Sequence, residues 1–256
     1  MKTVRCICVC IVLLVLAGVV SAVDWQTVYQ TDFSTDPGWT TNSPAYNYWN
    51  STGQNYHTST FSSGGQYAYT PVSFVQGNSY KLEFDLSVAN VASHGGRIIF
   101  GLGDSDMARY MPATFYAGYW DAGTGTEPYR GKVLGEFYMN SEGTTYHPVL
   151  EPLGHFSTNT WYHNVLIYDY DAATLSLTVT KQSDGSLLGT QVKTGVGTFS
   201  GIDRLYISSI GTDTSSGLIG EGYIDNVALY TIPEPATIGL FALAGFWIRK
   251  IKTLQK

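Results

Sequence analysis

The sequence predicts an all-β body, a two-sheet antiparallel sandwich, set between two apolar chain ends. Three observations predict it. Short runs alternate apolar and polar residues, which gives a strand one face for a core and one for water. No stretch between Val23 and Tyr230 sustains the 3.6-residue repeat of a helix. Turn-forming clusters return roughly every ten residues, the rhythm of packed antiparallel sheets. Composition agrees: only 13% of the 256 residues are charged, while Gly, Ser, Thr and Tyr are abundant, as in a secreted β protein.

In chain order, Lys2 and Arg5 precede an apolar run from Cys6 to Val20. Val20-Ser21-Ala22 then supplies small residues where signal peptidase cuts, so residues 1–22 read as a secretory signal peptide. The other reading of this run is a retained membrane anchor. All three cysteines lie in it, at positions 6, 8 and 10. The body therefore has no disulfide, thiolate metal site or cysteine nucleophile, and about 200 residues must build their own core.

The body, residues 23–230, reads as one domain. Its clearest strand is Tyr80 to Val88, where Tyr80, Leu82, Phe84, Leu86 and Val88 share a face. Further strands are expected at Arg97 to Leu102, Leu205 to Ile210 and Tyr223 to Tyr230. Trp161 to Tyr170 and Leu175 to Lys181 form a hairpin across Asp171-Ala172-Ala173-Thr174. Ser183-Asp184-Gly185-Ser186 is another turn. Thr231 to Pro235 closes the body, because proline cannot extend a strand ladder.

Beyond it, Ala236 to Ile248 is uninterruptedly apolar, and Arg249, Lys250 and Lys252 follow. A helix over 236–248 is short of the roughly 20 residues that cross a bilayer comfortably. The basic end keeps the terminus cytoplasmic. These features describe a marginal, transient inner-membrane anchor.

Ile232-Pro233-Glu234-Pro235, the apolar run and the basic cluster together resemble a PEP-CTERM sorting signal, over residues 231–256. The resemblance implies recognition of Pro233, Glu234 and Pro235, with Arg249 and Lys250, by an exosortase, a membrane protease of exopolysaccharide-producing bacteria. It implies delivery to the cell envelope, cell surface or extracellular matrix. Three body segments carry a second resemblance. Val28 to Phe33, with Trp39 after Pro37-Gly38, is similar to the opening of concanavalin A-like lectin/glucanase domains of the LamG type. Trp161 to Val165 with Tyr168-Asp169 resembles their tryptophan-to-Tyr-Asp hairpin, and Ile224 to Leu229 their closing strand. The implied fold is a jelly roll. Residues 108–156 match no segment of it.

Glucanases of this fold carry Glu-x-Asp-x-x-Glu, whose acids serve as nucleophile and acid/base. Here Glu83 and Asp85 supply the first half, but Val88 stands where the third acid belongs. The two acids read instead as the solvent face of an alternating strand, and no catalytic residue is assigned. The five histidines, at 57, 94, 147, 155 and 163, show no close ligand spacing, so zinc would need distant convergence. No Gly-x-Ser-x-Gly elbow or phosphate loop is present.

Six of the 14 basic residues and one of the 20 acids lie outside Val23 to Pro233. That leaves eight against nineteen, a formal charge of −11. Such a surface repels nucleic acid and favours cations. In related jelly rolls a structural calcium often sits near the first and last strands, and the resemblance places Asp32 and Asp225 there as its ligands. Sugar recognition needs flat aromatic faces beside polar groups. Tyr48 and Trp49, in Tyr46 to Asn50, and Tyr119 and Trp120, in Tyr116 to Asp121, offer that mix. The leading expectation is a non-catalytic envelope or matrix protein associated with exopolysaccharide. The alternatives are a divergent glycoside hydrolase or lyase, and a structural matrix protein without ligand.

Overall fold

The computed structural model describes residues 24–61, 64–91, 97–104, 115–121, 133–141, 144–146, 155–211 and 218–232. Both apolar chain ends, the helix expected over 236–248 and the Pro233 to Lys250 sorting residues lie outside these. Contacts group Thr27–Thr231 as one compact unit. Among the described residues no helix is long and apolar enough to cross a membrane.

The strands are β1 (Gln26–Thr31), β2 (Thr40–Thr41), β3 (Asn47–Asn50), β4 (Asn55–Phe61), β5 (Gly64–Pro71), β6 (Ser79–Val91), β7 (Arg97–Gly103) and β8 (Phe115–Asp121). They continue as β9 (Val133–Ser141), β10 (Thr144–Tyr146), β11 (His155–Phe156), β12 (Trp161–Asp169), β13 (Thr174–Lys181), β14 (Leu187–Thr194), β15 (Arg204–Gly211) and β16 (Leu218–Ile232). Sheet A runs β14-β13-β12-β6-β16-β4-β3, with β1 on β16. Sheet B runs β10-β9-β8-β7-β15-β5-β2, with β11 on β9. This is the expected two-sheet antiparallel sandwich. The first and last strands lie side by side in sheet A, joining segments some two hundred residues apart in sequence.

Alternation sets the core. On β6, Tyr80, Leu82, Phe84, Leu86 and Val88 are buried, and they belong to one apolar cluster with Ile98, Phe100 and Leu102 of β7 and Leu205 and Ile207 of β15. Phe84 meets Phe100 across the layers edge-on, with centroids 4.8 Å apart. On β12, Tyr162, Asn164, Leu166 and Tyr168 are buried while the odd-numbered residues are partly exposed. The β12–β13 hairpin is in register from Tyr162↔Lys181 to Asp169↔Thr174. Its turn is fixed by the Asp169 carboxylate, which accepts the Ala172 N–H at 2.9 Å.

Two features exceed the sequence reading. Residues 108–156 contribute β8 to β11, which extend sheet B from β7. Their irregular alternation hides them. Ile99 and Tyr206 are also fully buried although they sit on the opposite parity from Ile98 and Leu205. Both faces of the centre of sheet B are therefore covered.

Candidate functional site

Sheet A keeps a polar outer face, and its chemistry starts with the parity of β6. Glu83, Asp85 and Ser87 point away from the core. Val88, at the place of the missing third acid, points into it and is buried. Glu83 is held by Lys81, whose Nζ lies 2.7 Å from Oε1 and also 4.4 Å above the Tyr230 ring. The solvated carboxylate expected at Asp85 is corrected here: its residue is only 3% exposed. A buried carboxylate must be matched by donors, and three arrive from distant segments. His163 Nδ1 donates to Oδ1 at 2.8 Å, while Gln182 Nε2 and Asn226 Nδ2 each donate to Oδ2 at 2.8 Å. His163 stands directly opposite Asp85 in the β6–β12 register. The carboxylate that it bonds raises its pKa above the ordinary value.

Asn226 reaches Asp85 because β16 breaks its alternation. Ile224 and Val227 are both buried core residues, so two residues, Asp225 and Asn226, occupy one outward step. Asn226 takes the left-handed conformation, φ 50°, which asparagine tolerates better than most residues.

The pair expected to hold calcium lies beside this knot. Asp225 accepts the Asn226 N–H at 2.7 Å. Burial pushes its carboxyl up to about 6, and the negative charges of Asp85 and Asp32 act in the same direction. Asp32 is instead held below the carboxylate range by the Ser34 N–H and hydroxyl, at 3.0 and 2.7 Å. Among the described residues no three His, Cys, Asp or Glu side chains gather into a metal-holding group.

Towards the other edge of sheet A, the four-residue β3 separates the first aromatic pair. Trp49 packs against the core, and its indole N–H donates to the Phe33 carbonyl at 2.9 Å. Tyr48 turns outward and is 43% exposed. Its ring lies over His57, centroids 4.6 Å apart, and Tyr223 flanks the same imidazole at 5.2 Å. His57 is pinned on both nitrogens, Nδ1 to the Tyr46 carbonyl at 3.1 Å and Nε2 to Glu221 Oε1 at 3.0 Å. Burial raises the Tyr223 phenol pKa, and Glu221 and Tyr48 add to the rise. The second pair is not brought to this tier: Tyr119 and Trp120 lie on β8 of sheet B, in register with Ile98 and Arg97 of β7.

A cleft of about 450 Å³ opens near the start of β12, lined by Asn159, Thr160, Trp161, Lys181, Gln182 and Ser183. Gln182, which reaches Asp85, thus also forms a wall of the cleft. Sequence reasoning missed His57, Glu221, Tyr223 and Gln182 as a set. Their one sequence signal is parity: His57 and Tyr223 are large residues at outward positions of their strands, where core packing does not call for them.

No family model matches the sequence, and no curated protein does. Solved structures do. The CBM2 module of the evolved Dit of Lactobacillus casei BL23 phage J-1 is 15% identical, at TM-score 0.57 over 82% of this chain and 98% of that one. The carbohydrate recognition domain of Emp47p is 12% identical, at 0.56 over 82% and 98%. Lectin II from Ulex europaeus is 10% identical, at 0.54 over 82% and 100%. At such identities the likeness is one of architecture: the body is a lectin-like, concanavalin A-like jelly-roll sandwich.

Proposed function

We propose that this chain is an exported, non-catalytic carbohydrate-associated protein of the cell envelope or matrix. The observation that carries it is the Tyr48 ring. It is an exposed aromatic plate on a rigid sheet, backed by an imidazole fixed at both nitrogens and bordered by the Glu221 carboxylate and the Tyr223 phenol. A pyranose stacks its C–H face on such a plate and directs hydroxyls to the polar rim. The lectin-like fold supports the reading. The state of the two β6 acids speaks against hydrolysis: Glu83 is paired with Lys81, and Asp85 is buried under three donors. Neither is placed as the free carboxyl that acid/base work needs.

Retention of the full-length chain on cellulose, mannan and xylan tests it. Tyr48→Ala is expected to weaken retention about tenfold while changing stability by about 0.5 kcal/mol or less. Wild-type retention by Tyr48→Ala, or no retention of the parent on any matrix, sinks the assignment.

Sorting through residues 231–256 belongs to the same proposal, motivated by the Pro233-Glu234-Pro235 motif before a short apolar run and a basic end. Replacing those three residues by alanine is expected to leave the exported chain uncut at its C-terminus and in the membrane fraction. Release at the normal size would refute exosortase recognition.

A further inference from the structure

The Tyr48 tier and the Trp161 cleft are two ends of one row. In the β6–β12 register Trp161 stands opposite Ser87. The Ser87 carbonyl oxygen lies against Gly222, 2.7 Å from where a Cβ would sit, which sets Ser87 beside Gly222 and Tyr223 on β16. Tyr223 pairs with His57 on β4, and His57 pairs with Tyr48 on β3. Trp161, Ser87, Tyr223, His57 and Tyr48 therefore lie on five adjacent strands, β12-β6-β16-β4-β3, in a row joined across β6 and β16 by the contact of Ser87 with Gly222, the neighbour of Tyr223. All five point outward. Ser87 lies between the buried Leu86 and Val88 on β6. Tyr223 lies between Gly222, whose Cβ would meet Ile98 of sheet B, and the core residue Ile224. Four inter-strand steps of about 4.8 Å give the row a length of about 19 Å.

Its profile is high at both ends and low in the middle. Trp161 and its cleft stand at one end, and Tyr48 with Tyr223 at the other. Ser87 between them is small and only 4% exposed. The polar side chains of the next step along the strands, Asp85, His163 and Asn226, are locked to each other. The floor is thus preorganised, and little entropy is lost when a ligand covers it. The acids of this face outnumber its cations, with Lys81 already paired to Glu83 and His163 to Asp85, so it offers no concentrated positive charge to hold a polyanion.

We infer that this row is a transverse binding track for a neutral, linear polysaccharide. One sugar ring stacks on Trp161, another on Tyr48, and the intervening units cross the low ground at Ser87. This inference rests on the saccharide reading of the Tyr48 tier and deepens it: the ligand is an extended chain, not a single terminal sugar. Two linked contacts raise affinity by effective concentration, so chain length is the diagnostic.

The test is calorimetric titration of the full-length chain with cello-, manno- and xylo-oligosaccharides of two and six units. In at least one series the six-unit sugar should bind about tenfold tighter than the two-unit sugar. Trp161→Ala and Tyr48→Ala should each remove that gain while melting within about 2 °C of the parent. Trp161→Phe, which keeps an aromatic plate and the packing of its aromatic body, should retain part of the gain. It decides the matter if the alanine variant unfolds: no gain left in a folded Trp161→Phe still supports the track, and a full gain there, with Tyr48→Ala also unaffected, overturns it. Equal binding of two and six units, lost only in Tyr48→Ala, overturns the track but leaves the saccharide reading standing. No binding in any series overturns both.

Discussion

Trp39→Ala is expected to lower the unfolding free energy by about 4 kcal/mol, within the range of large aromatic truncations in cores. Trp39 lies at the entry to β2 and is 7% exposed. Its ring stacks on Phe100 of sheet B at 6.1 Å with planes 1° apart. It also contacts Tyr56 of sheet A at 4.8 Å and Phe33 at 5.4 Å. Its indole N–H donates to the Tyr29 hydroxyl of β1 at 2.7 Å. One residue therefore ties the opening strand to both layers, and the truncation leaves a void that β-sheets, braced by their ladders, cannot close. For a body of this size the loss corresponds to a fall of about 10 °C in Tm. Phe33, fully buried at φ 50°, depends on the same contacts to hold an unfavourable backbone conformation. Thermal melting of the variant checks the prediction, and a shift of under about 2 °C would show that the ring carries little of the inter-sheet packing.

Asp85→Ala is the second large effect, about 3 kcal/mol. The cost is not the value of three hydrogen bonds in isolation. It is the cost of leaving the Gln182 amide, the Asn226 amide and the His163 ring to find other partners in a half-buried site. Asp85→Asn should lose nearly as much, because one carboxylate oxygen becomes a donor that faces donors. The variant also has a pH signature. The pKa of His163 is raised in the folded chain, foremost by its bond to Asp85. A group whose folded pKa is raised contributes stability that is present below its unfolded value and lost as pH rises through the folded value. Asp225, lifted to about 6, has the same sign. The parent should therefore become more stable as pH falls from about 8 towards 5, and Asp85→Ala should flatten that slope by removing the His163 part. Melting curves at several pH values, with the His163 ring titrated by NMR, decide it. A parallel slope in the variant, with the His163 titration unmoved, would break the link between the two residues.

Much of the scaffold was legible before any coordinate. Strict alternation from Tyr80 to Val88 identified β6 with its buried face, because a half-buried strand writes its environment into every second residue. Asp171 to Thr174 identified the β12–β13 turn for a similarly local reason. Residues 115–146 were not legible: β8 and β9 alternate poorly. The site was legible only in fragments. Tyr48 and Trp49 were both candidates for sugar contact, yet neighbours on a strand face opposite ways, and only the bond from the Trp49 indole to the Phe33 carbonyl and the exposure of Tyr48 show which one is outward.

By itself, then, the sequence determined the strand-built body, its opening and closing strands and the apolar and basic character of its ends, since each is written in residues adjacent along the chain. The tertiary structure alone decided that Asp85 is a buried acceptor and not a solvated acid, and that Trp161, Ser87, Tyr223, His57 and Tyr48 share one line. Strand order and register decide such things. Hydrogen-bonded ladders bring together residues strung out between positions 48 and 223, and no local pattern encodes which strand will lie beside which.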